Sequence, residues 1–237
     1  MNILKEFQLE DKCSYLEGKH QTTHYKAIEE CSVSFCQDLI ERGYRRFGKI
    51  FFRPECSACS ECQSIKIDVQ NFRFSASARR VLRKASSIKS YIRKPTLSKE
   101  HLELFDKYHL FMQEKKGWES TPKSPQTYYS SFVDAHYDFG YEVLYYSDEK
   151  LIGVDLIDIL EDGISSIYFY YDPDYSSYSL GRLSLYNQIL FAQRWHKRWI
   201  YLGYYVQDCP SLSYKSSYTP YLTLNGRPNL DEEAIWF

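Results

Sequence analysis

Three short apolar runs separated by tight polar turns, then one long amphipathic stretch and a further apolar run, constrain this 237-residue chain more than any other feature. Residues 141–146, 151–159 and 164–171 are rich in Val, Ile, Leu and Tyr, and the connections between them carry Asp, Glu, Lys and Gly. Runs of that length bounded by turn residues read as strands, and such short connections make neighbouring strands antiparallel, so the three form a meander. Next, Leu180, Leu183, Tyr186 or Asn187 and Leu190 recur at helical spacing, which predicts a helix from Ser179 to about Trp195 and then a strand from Trp199 to Val206. Upstream, Ser98 opens a helical stretch through Leu102, Phe105, Tyr108 and Met112 to Gly117, and Ser124-Pro125 is an N-cap and N1 pair for another helix. The order helix, helix, three strands, helix, strand predicts an α+β fold with a mixed, mainly antiparallel sheet.

The preceding part of the chain reads differently. From Ala27 to Arg42 the spacing of Ile28, Cys31, Phe35 and Leu39 predicts a helix that Gly43 ends. Two strand-like runs, 49–53 and 64–69, flank a turn that carries Cys56, Cys59 and Cys62. Three thiolates three residues apart can converge on one cation, with Cys13 as a fourth donor, so the group suits a tetrahedral zinc ion or an iron–sulfur cluster; a metal-free turn of buried thiols is the alternative. A site saturated by four thiolates leaves no open position for substrate, which makes its role structural or regulatory. Cys31, Cys36 and Cys209 read as core residues. Pro95, within 94–98, marks the expected boundary between an N-terminal cysteine-bearing domain, residues 1–95, and a second domain, residues 96–237.

Lys and Arg number 30 against 31 for Asp and Glu, so net charge gives no reason to expect a nucleic-acid partner. A local feature does: between Arg73 and Lys94 lie Arg79, Arg80, Arg83, Lys84, Lys89 and Arg93 with no acidic residue. Such a run can neutralise phosphates and release their counterions, or form only a solvated basic face. No apolar run reaches the roughly 20 residues of a membrane span, and the first residues lack the apolar stretch of a secretory signal. With seven cysteines and no export signal, the chain is expected in the reducing cytoplasm, away from membranes.

The order of strands, helix and strand matches the core of the GNAT-type acyltransferases, in which the first amides of the helix hold phosphate of the acyl carrier. Here that place is Ser179-Leu180-Gly181-Arg182. Three longer runs carry a more specific resemblance: YRRFGKIFFRPECSACSECQSIKIDVQNFRFSASARR at 44–80, SSIYFYYDPDYSSYSLGRLSLYNQI at 165–189 and YLGYYVQDCPSLSYKSSYTPY at 201–221. At these residues the chain resembles the bacterial aspartate/glutamate leucyltransferases, relatives of the eukaryotic arginyl-tRNA-protein transferases, from Cys13 to about Pro220. The resemblance implies a cysteine-bearing N-terminal domain, a GNAT-like aminoacyl-transfer domain, leucyl-tRNA as donor and acceptor proteins that begin with Asp or Glu. The product would carry an N-terminal leucine, which marks it for degradation by the N-degron pathway. Ala76 and Ala78 depart from the family pattern before the matching Arg79 and Arg80, and Tyr221 stands where an acidic residue is expected after the matching Tyr214-Lys215 pair.

Aminolysis of an aminoacyl ester needs a neutral amine, stabilisation of the tetrahedral oxyanion and a proton for the departing ribose hydroxyl, with no covalent enzyme intermediate. No cofactor is required for transfer. Backbone amides of 167–171 would face the carbonyl, and Asp172, Asp174 or a tyrosine hydroxyl such as that of Tyr168 would relay the proton; Asp-Pro-Asp after a strand is also an ordinary turn. An acidic acceptor needs a cation, and Arg79, Arg80 and Lys215 are the candidates; the arginines could instead hold tRNA phosphate. Ser179, Gly181 and Arg182 are the expected contacts to the aminoacyl-tRNA 3′ end. Two other activities compete: an acetyl-CoA-dependent N-acetyltransferase of the same fold, and a metal-stabilised RNA-binding adaptor.

Overall fold

The computed structural model describes residues 2–118 and 122–237. Two strands, β1 (Asn2–Lys12) and β2 (His20–Glu30), form a long hairpin. Helix α1 (Val33–Glu41) follows, capped by the Ser32 hydroxyl, which accepts from the Phe35 amide at 3.2 Å. Then β3 (Arg45–Phe47) and β4 (Ile50–Pro54) complete a four-stranded sheet in the order β1-β2-β4-β3. The expected helix from Ala27 to Arg42 is therefore shorter: residues 27–30 finish β2, where Ala27 pairs with Ile50. Ile28 fitted the helical spacing because it is buried, and it is buried from a strand.

A seven-stranded sheet forms the rest. Its strands are β5 (Gln63–Asp68), β6 (Lys89–Arg93), β7 (Gly140–Ser147), β8 (Lys150–Ile159), β9 (Gly163–Tyr171), β10 (Trp199–Tyr205) and β11 (Tyr221–Thr223), in the order β11-β5-β10-β9-β8-β7-β6. All neighbours are antiparallel except β9 and β10. The mixed, mainly antiparallel sheet and the meander from β7 to β9 are as the apolar runs predict. The change of sheet, however, falls between Pro54 and Gln63, earlier than residue 95: β5, helix α2 (Ala76–Lys84) and β6 all belong with the larger sheet.

Helices cover both faces of that sheet. Leu183, Tyr186 and Ile189 of α5 (Leu180–Arg194), with Ala78 and Val81 of α2, pack on one face against Val143, Ile152, Ile157 and Ile200. Leu104, Phe105, Tyr108 and Met112 of α3 (Lys99–Lys116) pack on the other against Leu144, Val154, Leu156 and Tyr170. Helix α3 begins at a Ser98 cap and ends at Gly117, whose φ of 68° supplies the left-handed terminus; Ser124 caps the short α4 (Pro125–Tyr128).

The two sheets are joined by charge as well as by apolar packing. Arg46 on β3 meets Asp158 on β8 through a two-pronged contact, its Nε donating to Oδ2 at 2.7 Å and its Nη2 to Oδ1, with both side chains buried. The remaining guanidinium donor serves the carbonyls of Gly48 and Ala135. The C-terminal tail returns to the smaller sheet, where Arg42 and Arg53 donate to the carbonyls of Asn229 and Pro228. Removing one partner of a buried ion pair strands the other's charge. Asp158→Ala is expected to lower stability by about 3–5 kcal/mol in urea unfolding, while the paired change Arg46→Met with Asp158→Leu recovers most of it.

Candidate functional site

β9 and β10 run together only where 163–165 face 199–201, and beyond Ser165 they diverge. An extra residue in β9 marks the departure, since Leu156 pairs with Tyr168 and Ile157 with Ser166, leaving Ile167 as a bulge. The gap is a cavity of about 950 Å³, walled by 166–169 of β9, by α5 at Gly181, Ser184 and Gln188, by Tyr108, His109 and Met112 of α3, and by Arg45, Phe47 and Tyr15 from the N-terminal part. Strand alternation explains one wall: with Arg46 turned to Asp158, Arg45 and Phe47 on either side of it face the cavity. Gly203 makes room for Arg45; its φ is 74°, and a Cβ there would stand 2.6 Å from the arginine Cδ.

One end of the cavity is aromatic and apolar, with Phe47, Phe52, Tyr108, Met112 and Trp118. The other holds two cations. Arg45 Nη2 donates to the carbonyls of Ser166 and Ile167 at 3.3 and 2.8 Å, and Lys215 Nζ to that of Tyr204 at 2.5 Å. Among the described residues neither has a carboxylate within ion-pair distance. Burial, and then the nearby Arg45, push the Lys215 ammonium well below its ordinary range. His109 is also held below its usual value by burial; its Nδ1–H donates to the Phe105 carbonyl, so Nε2 accepts from the Tyr168 hydroxyl at 2.8 Å.

Beside this cavity lie two smaller hollows of about 260 and 460 Å³. The first is lined by Ser179, Gly181, Arg182, Tyr171 and Tyr218, and the second by Arg73, Ser75, Arg182, Tyr186 and Tyr218. Ser179, with φ of 56°, turns the chain into α5; the amides of Arg182 and Leu183 return to its carbonyl, so those of Leu180 and Gly181 precede the first helical bonds. Nothing stands within 4 Å of a Cβ built on Gly181. The helix start expected to hold an anion is thus open and joined to the main cavity.

Of the other residues singled out in the sequence, Tyr168 and Lys215 line the cavity, and Asp172, Arg79 and Arg80 do not. Asp172 caps the 3-10 turn at 173–178 and binds Lys107 at 2.5 Å and Lys150 at 2.8 Å. Burial alone would raise its carboxyl, but these hydrogen bonds hold it below the ordinary value. Arg79 and Arg80 are exposed on α2, because Ala78 and Val81 take its inner face. Arg93 and Lys94 in the same basic run are engaged with Glu142 and with the carbonyls of Tyr137 and Asp138.

Cys13, Cys56, Cys59 and Cys62 are free and half-buried. Ser14 and Tyr15, next in the chain to Cys13, line the cavity. Burial pushes the Cys62 thiol up to about 12, and Cys13, Cys56 and Cys59 add to the rise. Their donor chemistry suits a thiophilic cation. As they stand, however, no group of three or more His, Cys, Asp or Glu among the described residues is arranged to hold a metal ion. Cys56 instead accepts from the Thr22 amide at 3.4 Å, and Cys59 lies 3.8 Å from Lys19 Nζ.

Arg45 was hidden in the sequence by its twin, Arg46, since only a known strand separates their roles. Asp155 carries a readable signal, since it interrupts an apolar strand buried on both faces, and it is wholly buried.

The family model described as "Arginine-tRNA-protein transferase, N terminus" matches residues 11–80, and that described as "Arginine-tRNA-protein transferase, C terminus" matches residues 100–225. The chain is 52% identical over 229 residues to an "Aspartate/glutamate leucyltransferase" of Campylobacter jejuni, covering 96% of each chain. Proteins of the same name from Helicobacter hepaticus and Saccharophagus degradans are 43% identical over 234 residues, covering 98% of this chain and 97% of the relative, and 35% identical over 214 residues, covering 88% of each. The FemX structure superimposes with a TM-score of 0.44 at 8% identity, over 77% of this chain and 63% of the other. These matches run through both sheets and every wall of the cavity, and the chain belongs to the arginine-tRNA-protein transferase family.

Proposed function

We propose that this chain transfers leucine from leucyl-tRNA to the N-terminal Asp or Glu of acceptor proteins, in the cytoplasm. The observation that carries the acceptor side is the pair Arg45 and Lys215: a half-buried and a buried cation that, among the described residues, have no carboxylate within ion-pair distance, in the wall of one cavity. Buried charge calls for a counter-charge, and a guanidinium suits a carboxylate. The acidic side chain of the acceptor supplies it. Leucine fits the apolar end, between Phe47, Met112 and Trp118. The donor's terminal phosphates lie at the start of α5, near Ser179, Gly181 and Arg182, and the tRNA continues over exposed Arg73, Arg79, Arg80 and Arg83.

The reaction forms an amide bond from the acceptor amine to the leucyl carbonyl carbon and breaks the ester bond to ribose. In the GNAT-like arrangement, the backbone N–H groups of β9 beyond Ser165 on the side that faces β10 have no strand partner and can donate to the oxyanion. Tyr168 commits its proton to His109, and so orients the wall rather than the leaving group. The four cysteines are the proposed donors of a structural zinc ion or iron–sulfur cluster, for which their thiols would turn inward; no step of transfer runs through it. Metal analysis of protein purified under argon checks this, with Cys56→Ser as the control: zinc or iron no higher than in the variant removes the proposal.

Purified protein is expected to label peptides that begin with Asp or Glu from leucyl-tRNA, and not those that begin with Lys or Ala. Equal labelling of all four, or labelling only from arginyl-tRNA, overturns the assignment. The two sets of cations should also separate in steady-state kinetics. Arg45→Met is expected to raise KM for an Asp-initiated peptide about tenfold or more with little change for leucyl-tRNA. Arg80→Ala is expected to do the reverse, weakening leucyl-tRNA and lowering the salt slope of its binding by about 1.

A further inference from the structure

Behind the cavity wall lies a carboxylic acid that takes part in no ion pair among the described residues. Asp155, on β8, is wholly buried. Its Oδ2 accepts from the Ser184 hydroxyl at 2.7 Å and from Gln188 Nε2 at 2.9 Å, both on α5, and its Oδ1 has no partner. Gln188 Oε1 and the neighbouring Tyr145 hydroxyl are likewise buried without partners. Unsatisfied polar atoms side by side are a costly arrangement for a core. Ser184 and Gln188 both line the cavity, and Asp155 lies directly behind them.

We infer that Ser184 and Gln188 receive the α-ammonium group of the acceptor and that Asp155 takes up, through the Ser184 hydroxyl, the proton this group loses before it attacks. The inference rests on the leucyl-transfer reading and assigns the half of acceptor recognition that Arg45 and Lys215 leave open. An N-terminal acidic residue carries an ammonium and a carboxylate close together, and the site must offer their complements side by side. Ser166 joins the two halves: its carbonyl accepts from Arg45, and its hydroxyl from Gln188 Nε2 at 3.2 Å. The ammonium donates to Gln188 Oε1 and Ser184 Oγ. Ser184 passes its own proton to Asp155 as it takes one from the ammonium, leaving a neutral amine. The amine then forms the C–N bond; its second proton passes to the ribose oxygen as the C–O bond breaks, and Asp155 returns its proton to solvent when the products leave.

The surroundings of Asp155 suit this work. No cation faces it from the elements packed against it: β7 presents Tyr145, held well above its ordinary value by burial and by Asp155 itself, α5 presents Ser184 and Gln188, and β9 presents Phe169 and Ser166. Burial raises the Asp155 carboxyl to about 7, with the two hydrogen bonds opposing the rise. A carboxylate with that value exchanges protons near neutrality, where an α-ammonium with a reference pKa of about 7.7–8.0 needs a base.

Asp155→Asn keeps the shape of the side chain and removes the proton acceptor. With leucyl-tRNA and an Asp-initiated peptide, single-turnover transfer by this variant is expected to fall about tenfold near pH 7 and to come within about twofold of the unsubstituted protein near pH 8.5, where the amine is already largely neutral. Ser184→Ala, which cuts the relay, should show the same recovery with pH. A loss that is equal at both pH values in both variants identifies a structural role and overturns the inference, as does a rate within threefold at both. Should Asp155→Asn not fold, the Ser184→Ala profile decides alone. Absence of transfer by the unsubstituted protein would refute the leucyl-transfer reading itself and is seen before any variant is compared.

Discussion

The buried contact between Arg46 and Asp158 is the constraint on which the rest of the site depends. It crosses from the smaller sheet to the larger one and satisfies a guanidinium that β3 could not bury alone. Because successive residues of a strand face opposite sides, anchoring Arg46 in this way also aims Arg45 and Phe47. A charge in the cavity and an aromatic ring in its wall are both consequences of an ion pair that touches neither. Such pairs contribute little net stability compared with apolar packing of the same volume, and their value lies in admitting one register.

The cavity owes its existence to a failure of pairing. Parallel strands β9 and β10 separate after three residues, and each has an irregularity at the point of departure: the extra Ile167 on one, and on the other a shift of register between Tyr201 and Gly203. Ladder groups that would bond across an intact sheet are thereby left for other partners. Arg45 takes two carbonyls of β9, and the start of α5 lies beside the amides. Polar backbone in an apolar setting is expensive unless it is matched. Here the mismatch is confined to the place where a tetrahedral intermediate needs donors.

Much of the larger domain was legible because its signals are local. Ser98, Gly117 and Ser124-Pro125 mark helix ends by chemistry that does not depend on the rest of the chain, and the meander lies where apolar runs and short turns require it. The hairpin of β1 and β2 escaped notice because most of β1 is exposed, with charged residues at positions of both parities, so no face is distinguished. The end of β2 mimics a helix in its spacing because Ile28 happens to lie three residues before Cys31. For the site, Gly181 and Lys215 can be found in motifs, whereas the setting of Asp172 cannot: its two lysine partners come from α3 and β8, distant in sequence. Arg45 and Gln188 acquire meaning only when β3 and α5 are brought to the same cavity.

Strand β5 lies between β10 and β11, although it is made far earlier than either. On the ribosome this apolar segment, with Ile65 and Ile67 at its centre, has no edge to join until the chain has been extended past Tyr205. The larger sheet cannot therefore close from its N-terminal end as synthesis proceeds; the side that holds β5 is completed nearly last. The N-terminal part waits for the C-terminal part, and the cavity between them is assembled only once almost the whole chain has emerged.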